Sequence, residues 1–243
     1  MKKFLLFLLW GLVLAIPVAG QKHASERDIE GLHGNVKSVV TEAILESPSG
    51  KPARILMGKM TFDVDGNLNT REDYGPSGEL LNSSAYSFLE GERVVKMETI
   101  YPKNMIVLGD PTKIKRPSDP RYTYKIRYKF DRLGRRIAAD WLRSDDSIYL
   151  KYVYSYNDNK IEETVSFDNG LALEDKVSML DQKGNTLEVL HRDLSDKSVV
   201  SYKESYTYLR LDRQGNWIER IESRTQDNKP VESLRVSRTI TYH

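Results

Sequence analysis

Ten basic residues crowd the stretch from Lys113 to Arg136, against two acidic ones, Asp119 and Asp131. Clustered like charge draws counter-ions, so such a stretch can act as a landing site for an anion. Lys113, Lys115 and Arg116 fall in a proline-rich run, and Lys125, Arg127 and Lys129 alternate along the segment after it. These six are the candidate ligand residues for an anionic partner: a lipid headgroup, lipopolysaccharide phosphate or an acidic glycan. The competing reading is a solvated face whose charges pair with Glu on adjacent strands or discourage edge pairing.

Aromatic side chains give a second candidate chemistry, because flat rings stack on sugars and anchor partners. All 14 Tyr lie beyond residue 20. Most of them occupy positions expected to pack inward. Tyr149 stands opposite its neighbours' apolar row and Trp217 directly follows a turn, so these two are the candidate exposed rings.

Catalytic and metal chemistry find little support. His23, His33, His191 and His243 show neither triad nor metal-ligand spacing. There is no Cys, hence no thiol nucleophile, disulfide or zinc–thiolate site. Asp63-Val64-Asp65-Gly66-Asn67 resembles a calcium loop superficially, but its Gly comes two positions too early for an EF-hand. Glu162 and Glu163 are neighbours on an expected strand and point to opposite faces, which is no acid–base dyad. No phosphate-cradling Gly-rich loop is present. The expectation is a non-enzymatic chain with no catalytic residue, metal or cofactor.

The elements that would position these residues are strands joined by a recurring corner. The corner begins at Phe62, Phe88, Phe130, Tyr156, Leu180 and Leu211, and its fullest form is aromatic or Leu, Asp, two variable residues, Gly, Asn. Asp at the first turn position can accept the backbone N–H two residues on, and Gly can take the left-handed conformation that closes a hairpin. Gly66, Gly91, Gly134, Gly184 and Gly215 are therefore expected to be structural turn residues. Roughly two strands fit between successive corners. The long gap from 88 to 130 contains an insertion at 102–120 with four prolines.

Period-two alternation is cleanest at 121–130, where Tyr122, Tyr124, Ile126, Tyr128 and Phe130 share one face and Arg121, Thr123, Lys125, Arg127 and Lys129 the other. No segment beyond residue 20 shows a convincing helical period. The expected fold is all-β: an antiparallel meander of about 12–14 strands, a curled sheet or open barrel built from these hairpin repeats.

Lys2 and Lys3 precede an apolar run from Phe4 to Val18 that ends in small residues. That pattern predicts a signal peptide over 1–20, cut after Gly20; no Cys follows to carry a lipid anchor. Beyond it, 21–35 is expected to be a loosely ordered polar segment and 36–243 a single β domain. Without Lys2 and Lys3 the basic residues equal the 35 acidic ones, so nucleic-acid binding is not expected.

The aromatic-Asp-x-x-Gly-Asn corners resemble the Rhs or YD-repeat family of bacterial surface and secreted proteins. Gly31-Leu32-His33-Gly34-Asn35-Val36-Lys37-Ser38-Val39 at one end, and Gly215-Asn216-Trp217 with Arg238-Thr239-Ile240-Thr241-Tyr242 at the other, look like its small exported members. The resemblance implies a β-repeat architecture and supplies no catalytic residue. The expected function is a non-enzymatic binding or scaffolding module of the periplasm or cell surface. The alternatives are a glycan-binding module using exposed Tyr and Trp and, third, an outer-membrane barrel. Glu163 and Asp175 in otherwise apolar rows, and His243 as the final residue, count against that third reading.

Overall fold

The computed structural model describes residues 24–45, 52–89, 92–99 and 121–243. A short helix, α1 (Glu26–Ile29), precedes fourteen strands: β1 (Val36–Leu45), β2 (Ala53–Phe62), β3 (Leu68–Tyr74), β4 (Leu80–Leu89), β5 (Glu92–Thr99), β6 (Arg121–Phe130), β7 (Arg136–Leu142), β8 (Ile148–Asn157), β9 (Lys160–Phe167), β10 (Ala172–Leu180), β11 (Thr186–Arg192), β12 (Val200–Leu211), β13 (Trp217–Gln226) and β14 (Lys229–Tyr242). Each strand pairs antiparallel with the next, and β14 returns to pair with β1, so the meander closes into a barrel.

Closure corrects the expected open or merely curled sheet. The seam runs from Val36 opposite Tyr242 to Ile44 opposite Arg235. The long β14 makes it, pairing with β13 from Lys229 to Ser237 and with β1 from Arg235 to Tyr242. Alternation along a strand says which face is wet, but it does not say whether the first and last strands meet. An open meander would leave two rows of unpaired backbone groups, and closure satisfies both.

The corners Asp63–Asn67, Asp131–Arg135, Asp181–Asn185 and Asp212–Asn216 all lie at one end of the barrel, because each follows an upward strand. In all four the Asp carboxylate accepts the backbone N–H groups two and four residues on. Gly66, Gly134, Gly184 and Gly215 hold φ of 87°, 75°, 84° and 90°. The strand register slips by one residue at each corner, between Thr61 and Phe62, Lys129 and Phe130, Met179 and Leu180, and Arg210 and Leu211. Gly91 and the 102–120 insertion lie outside the described residues.

Residues directly opposite on paired strands share a face, which lets the register sort lumen from exterior. Tyr128 reaches α1, so it and its row point inward: Ile126 opposite Trp141, Tyr128 opposite Ala139, and Ala139 opposite Tyr152. Farther round, Glu163 opposite Lys176 and Tyr208 opposite Arg220 continue the inner face. The outer face of β6 carries Lys125, Arg127 and Lys129, and that of β12 and β13 pairs Ser205 with Ser223 and Thr207 with Ile221. Apolar packing is concentrated inside, in one cluster around Leu32, Val39, Phe62 and Leu68 and another around Val95, Tyr124, Ile126 and Ala139.

Substitutions at two corner glycines separate backbone strain from contact. A Cβ at Gly184 would meet nothing within 4 Å, so Gly184→Ala should cost about 1 kcal/mol from its positive φ alone. A Cβ at Gly66 would lie 2.6 Å from Ser25 Oγ and 3.0 Å from Arg27 Cζ, so Gly66→Ala should cost more and loosen the segment before β1. Urea denaturation midpoints check both; an unshifted midpoint for Gly184→Ala would remove the turn assignment.

Candidate functional site

The segment expected to be loose at 21–35 instead forms a plug from Ala24 to Asn35. Ser25 caps α1 reciprocally: its Oγ accepts the Asp28 N–H at 3.2 Å, and its own N–H donates to the Asp28 carboxylate at 2.8 Å. Ser25-x-x-Asp28 is a capping-box pattern, and it was the available signal for this turn. The corners hold the plug through backbone groups. Ala24 N–H donates to the Gly134 carbonyl and Arg27 N–H to the Gly66 carbonyl, each at 2.9 Å. The Asn216 side chain grips His33 from both sides, accepting its N–H at 2.7 Å and donating to its carbonyl at 2.9 Å.

Glu26 carries the plug into the barrel. Its carboxylate accepts from Arg93 at 2.5 and 3.1 Å, from the Leu68 N–H at 2.6 Å and from the Tyr128 hydroxyl at 2.7 Å. Arg93 also donates to the Leu68 carbonyl. Both side chains of the pair are nearly sealed from solvent, with 4% of Arg93 and 11% of Glu26 exposed. Burial, and then the adjacent Glu26 charge, push the Tyr128 hydroxyl well above its ordinary pKa, so it acts as a donor.

Beyond α1 lies a cavity of about 480 Å³. Its floor is the plug from Asp28 to His33, and its walls include Arg136, Tyr154, Tyr208, Trp217, Arg220 and Arg238. It reaches the rim at the Lys183-Gly184-Asn185 corner. Arg220 and Arg238 lie 4.0 and 3.7 Å from the Trp217 ring centre, and Arg136 lies 3.8 Å from that of Tyr128. Arg220 is neutralised by Glu222 at 2.6 Å. Among the described residues no ion pair engages Arg136 or Arg238, and the buried Nε atom of each has no hydrogen-bond partner. Burial, and then the like charge of Arg220, pull the Arg238 guanidinium down to about 10.

A second cavity, about 740 Å³, sits at the opposite end and is lined by Tyr152, Val165, Glu174, His191 and Tyr202 among others. His191 stacks on Tyr202 with ring centres 4.0 Å apart. It stands between Glu174 and Glu204, 3.6 and 3.8 Å from its two ring nitrogens. Burial lowers its pKa despite both carboxylates, so the ring favours its neutral form. Among the described residues no cluster of His, Asp and Glu has the makings of a metal site.

The expected ligand residues distribute unevenly over this architecture. Lys113, Lys115 and Arg116 lie outside the described residues. Lys125 and Arg127 both approach Asp146, at 3.1 and 3.7 Å, and Lys129 approaches Asp140 at 3.2 Å, all on the outer face. Neither expected exposed ring is a free outward platform. Tyr149 stacks on Tyr124 at 5.0 Å, and Trp217 is 6% exposed in the lumen. The bulge between Trp141 and Leu142 opposite β8 lets Tyr149 join the inner aromatic cluster against simple alternation. Sequence reasoning missed Arg136, Arg220 and Arg238, which lie on the same faces as rows of Tyr.

No protein-family model and no curated protein matches the chain. Among solved structures, a porin-like protein from Bacteroides uniformis is similar at 13% identity and a TM-score of 0.48, over 85% of this chain and 96% of that one. A putative outer membrane lipoprotein-sorting protein domain from Vibrio parahaemolyticus is similar at 11% identity and a TM-score of 0.31, over 86% of each chain. A DUF1329 family protein from Desulfovibrio piger gives 9% and 0.28, over 85% of this chain and 86% of that one. At these levels none carries a function across. The Rhs and YD-repeat resemblance is corrected on other grounds: no family model matches the chain, and its meander closes into a fourteen-strand barrel. The Asp-x-x-Gly corner is a local turn solution open to any antiparallel meander, so it does not mark that family.

The corner carboxylates give the barrel an acid limit. Burial pushes Asp63, Asp131, Asp181 and Asp212 up, but the side-chain and backbone donors around each outweigh it and hold all four below the usual carboxylate value. A depressed folded pKa stabilises the fold above the unfolded value near 4, and that contribution is lost as pH falls through the folded value. The melting temperature should therefore drop below about pH 4, and Asp181→Asn should lessen that drop while lowering the melt at neutral pH. An acid profile identical in wild type and variant would show that Asp181 is unshifted.

Proposed function

We propose that the chain is an exported, envelope-associated, plugged β-barrel that binds a small molecule in its lumen without transforming it. The observation that carries this is the 480 Å³ space above the plug, lined by aromatic rings and by two arginines, Arg136 and Arg238, that have no ion pair among the described residues. A cavity of this size, with a few convergent polar groups on an aromatic lining, is the usual form of a small-molecule site. Export rests on the signal-like segment at 1–20, whose charged start, apolar middle and small-residue end are the marks of a secretory leader.

A barrel embedded in the outer membrane is the second reading, and its support is the closed meander with an even number of strands. The outer faces weigh on the other side. Lys125, Arg127 and Lys129 on β6, and Lys203 on β12, point away from the lumen. A Lys or Arg facing hydrocarbon costs ~2–4 kcal/mol at the bilayer midplane. The barrel is therefore read as standing in water beside the envelope. Fractionation of the native host tests both readings: the protein should appear in the detergent-free soluble extract with Gln21 as its first residue. Recovery only from detergent-solubilised outer membrane would establish the embedded barrel instead.

A further inference from the structure

Arg136 and Arg238 both line the cavity behind α1, and among the described residues neither has an ion pair; Arg27 and Arg224 also lack one but are not part of this cavity's lining. Three other acidic groups of the lumen each meet a cation. Glu163 meets Lys176 at 2.8 Å, Glu222 meets Arg220 at 2.6 Å, and Glu30 approaches Arg71 at 3.5 Å. Arg136 is 9% exposed. An uncompensated buried charge is a standing cost to the fold, and one that a bound counter-charge removes. Guanidinium presents planar donors suited to two-point contact with carboxylate or phosphate oxygens. Trp217 fixes Arg238 against its ring, and Tyr128 fixes Arg136, so neither cation must be ordered when a ligand arrives. Tyr154, Tyr156 and Ile161 supply an apolar wall beside them. Lys183, at the rim of the same cavity, adds positive charge where a ligand would enter.

We propose that this cavity takes a flat, apolar small molecule bearing one oxyanion group, a carboxylate or a phosphate, with Arg136 and Arg238 holding the oxyanion. The assignment rests on the luminal-binding reading and narrows it to a chemical class. Arg220 is a positioning residue: tied to Glu222, it shares the Trp217 ring and keeps Arg238 turned to the cavity.

Isothermal calorimetry on the purified exported protein tests this with three probes of one ring system: 2-naphthoate, 2-naphthyl phosphate and the uncharged 2-naphthalenemethanol. At least one anion should bind about tenfold or more tighter than the alcohol, and the tighter of the two identifies the head group. Arg136→Gln and Arg238→Gln should each erase most of that preference and leave alcohol binding within about threefold. Lys203→Gln, on the outer face, should change nothing. Without ligand, both arginine variants should melt at or above the wild-type temperature, because each removes an uncompensated charge. Equal binding of all three probes would overturn the oxyanion class and leave luminal binding standing. Heat from none of them would overturn both. A preference that survives in both arginine variants, or variants that melt well below wild type, would show that these cations are engaged otherwise and overturn the assignment.

Discussion

The buried carboxylate of Glu26 is the point on which the rest of this barrel depends. Fourteen strands enclose more space than their own inward side chains can fill, unlike the smallest barrels. The chain fills one end with its own N-terminal segment, and a segment threaded into a lumen needs a specific anchor. Glu26 supplies it by accepting from β3, β5 and β6 at once, through the Leu68 amide, Arg93 and Tyr128. The corners complete the seat, since Gly66 and Gly134 present carbonyls to the plug while their positive φ closes the turns. A residue type chosen for a hairpin therefore also builds a docking rim.

The lumen is polar by design of its register, with charge set against opposite charge and cations set against rings. Glu163 with Lys176, Arg220 over Tyr206, and Arg224 over Tyr202 all arise because paired strands bring these residues opposite or diagonal to one another. A one-residue slip would turn every member outward and leave its partner stranded. Such pairs contribute modestly to net stability, since desolvation offsets much of their attraction. Their effect is to make alternative registers costly. Arg136 and Arg238 also lie over rings, but they line the cavity without an ion pair, which is why function is sought beside them.

The strand pattern was legible in the sequence because it rests on local rules. Alternation at Tyr122, Tyr124, Ile126 and Tyr128 placed those rings on one face, and the corner residues gave the turns. Closure was not legible: the pairing of Val36 with Tyr242 joins opposite ends of the chain, and nothing local to either announces the other. The corners do not mark a family, because their turn chemistry is common to all antiparallel hairpins. The dry face expected behind the tyrosines turned out to hold arginine and glutamate as well. Nothing local to Arg136 or Arg238 marks either as a luminal residue, since what encloses them is the closed barrel and its plug. The Ser25-x-x-Asp28 cap was in plain view, yet α1 is too short to show a helical period.

A double-mutant cycle across Glu26 and Arg93 addresses the plugged barrel most directly. Glu26→Gln, Arg93→Met and the double variant would be compared with wild type by urea denaturation at neutral pH. If the plug is anchored as described, each single change costs ~3–5 kcal/mol by leaving a buried partner uncompensated. The double change then costs less than the sum of the two by at least about 1.5 kcal/mol. Single costs that add to within about 0.5 kcal/mol would mean the two residues do not meet, and the N-terminal segment would not be the plug of this barrel.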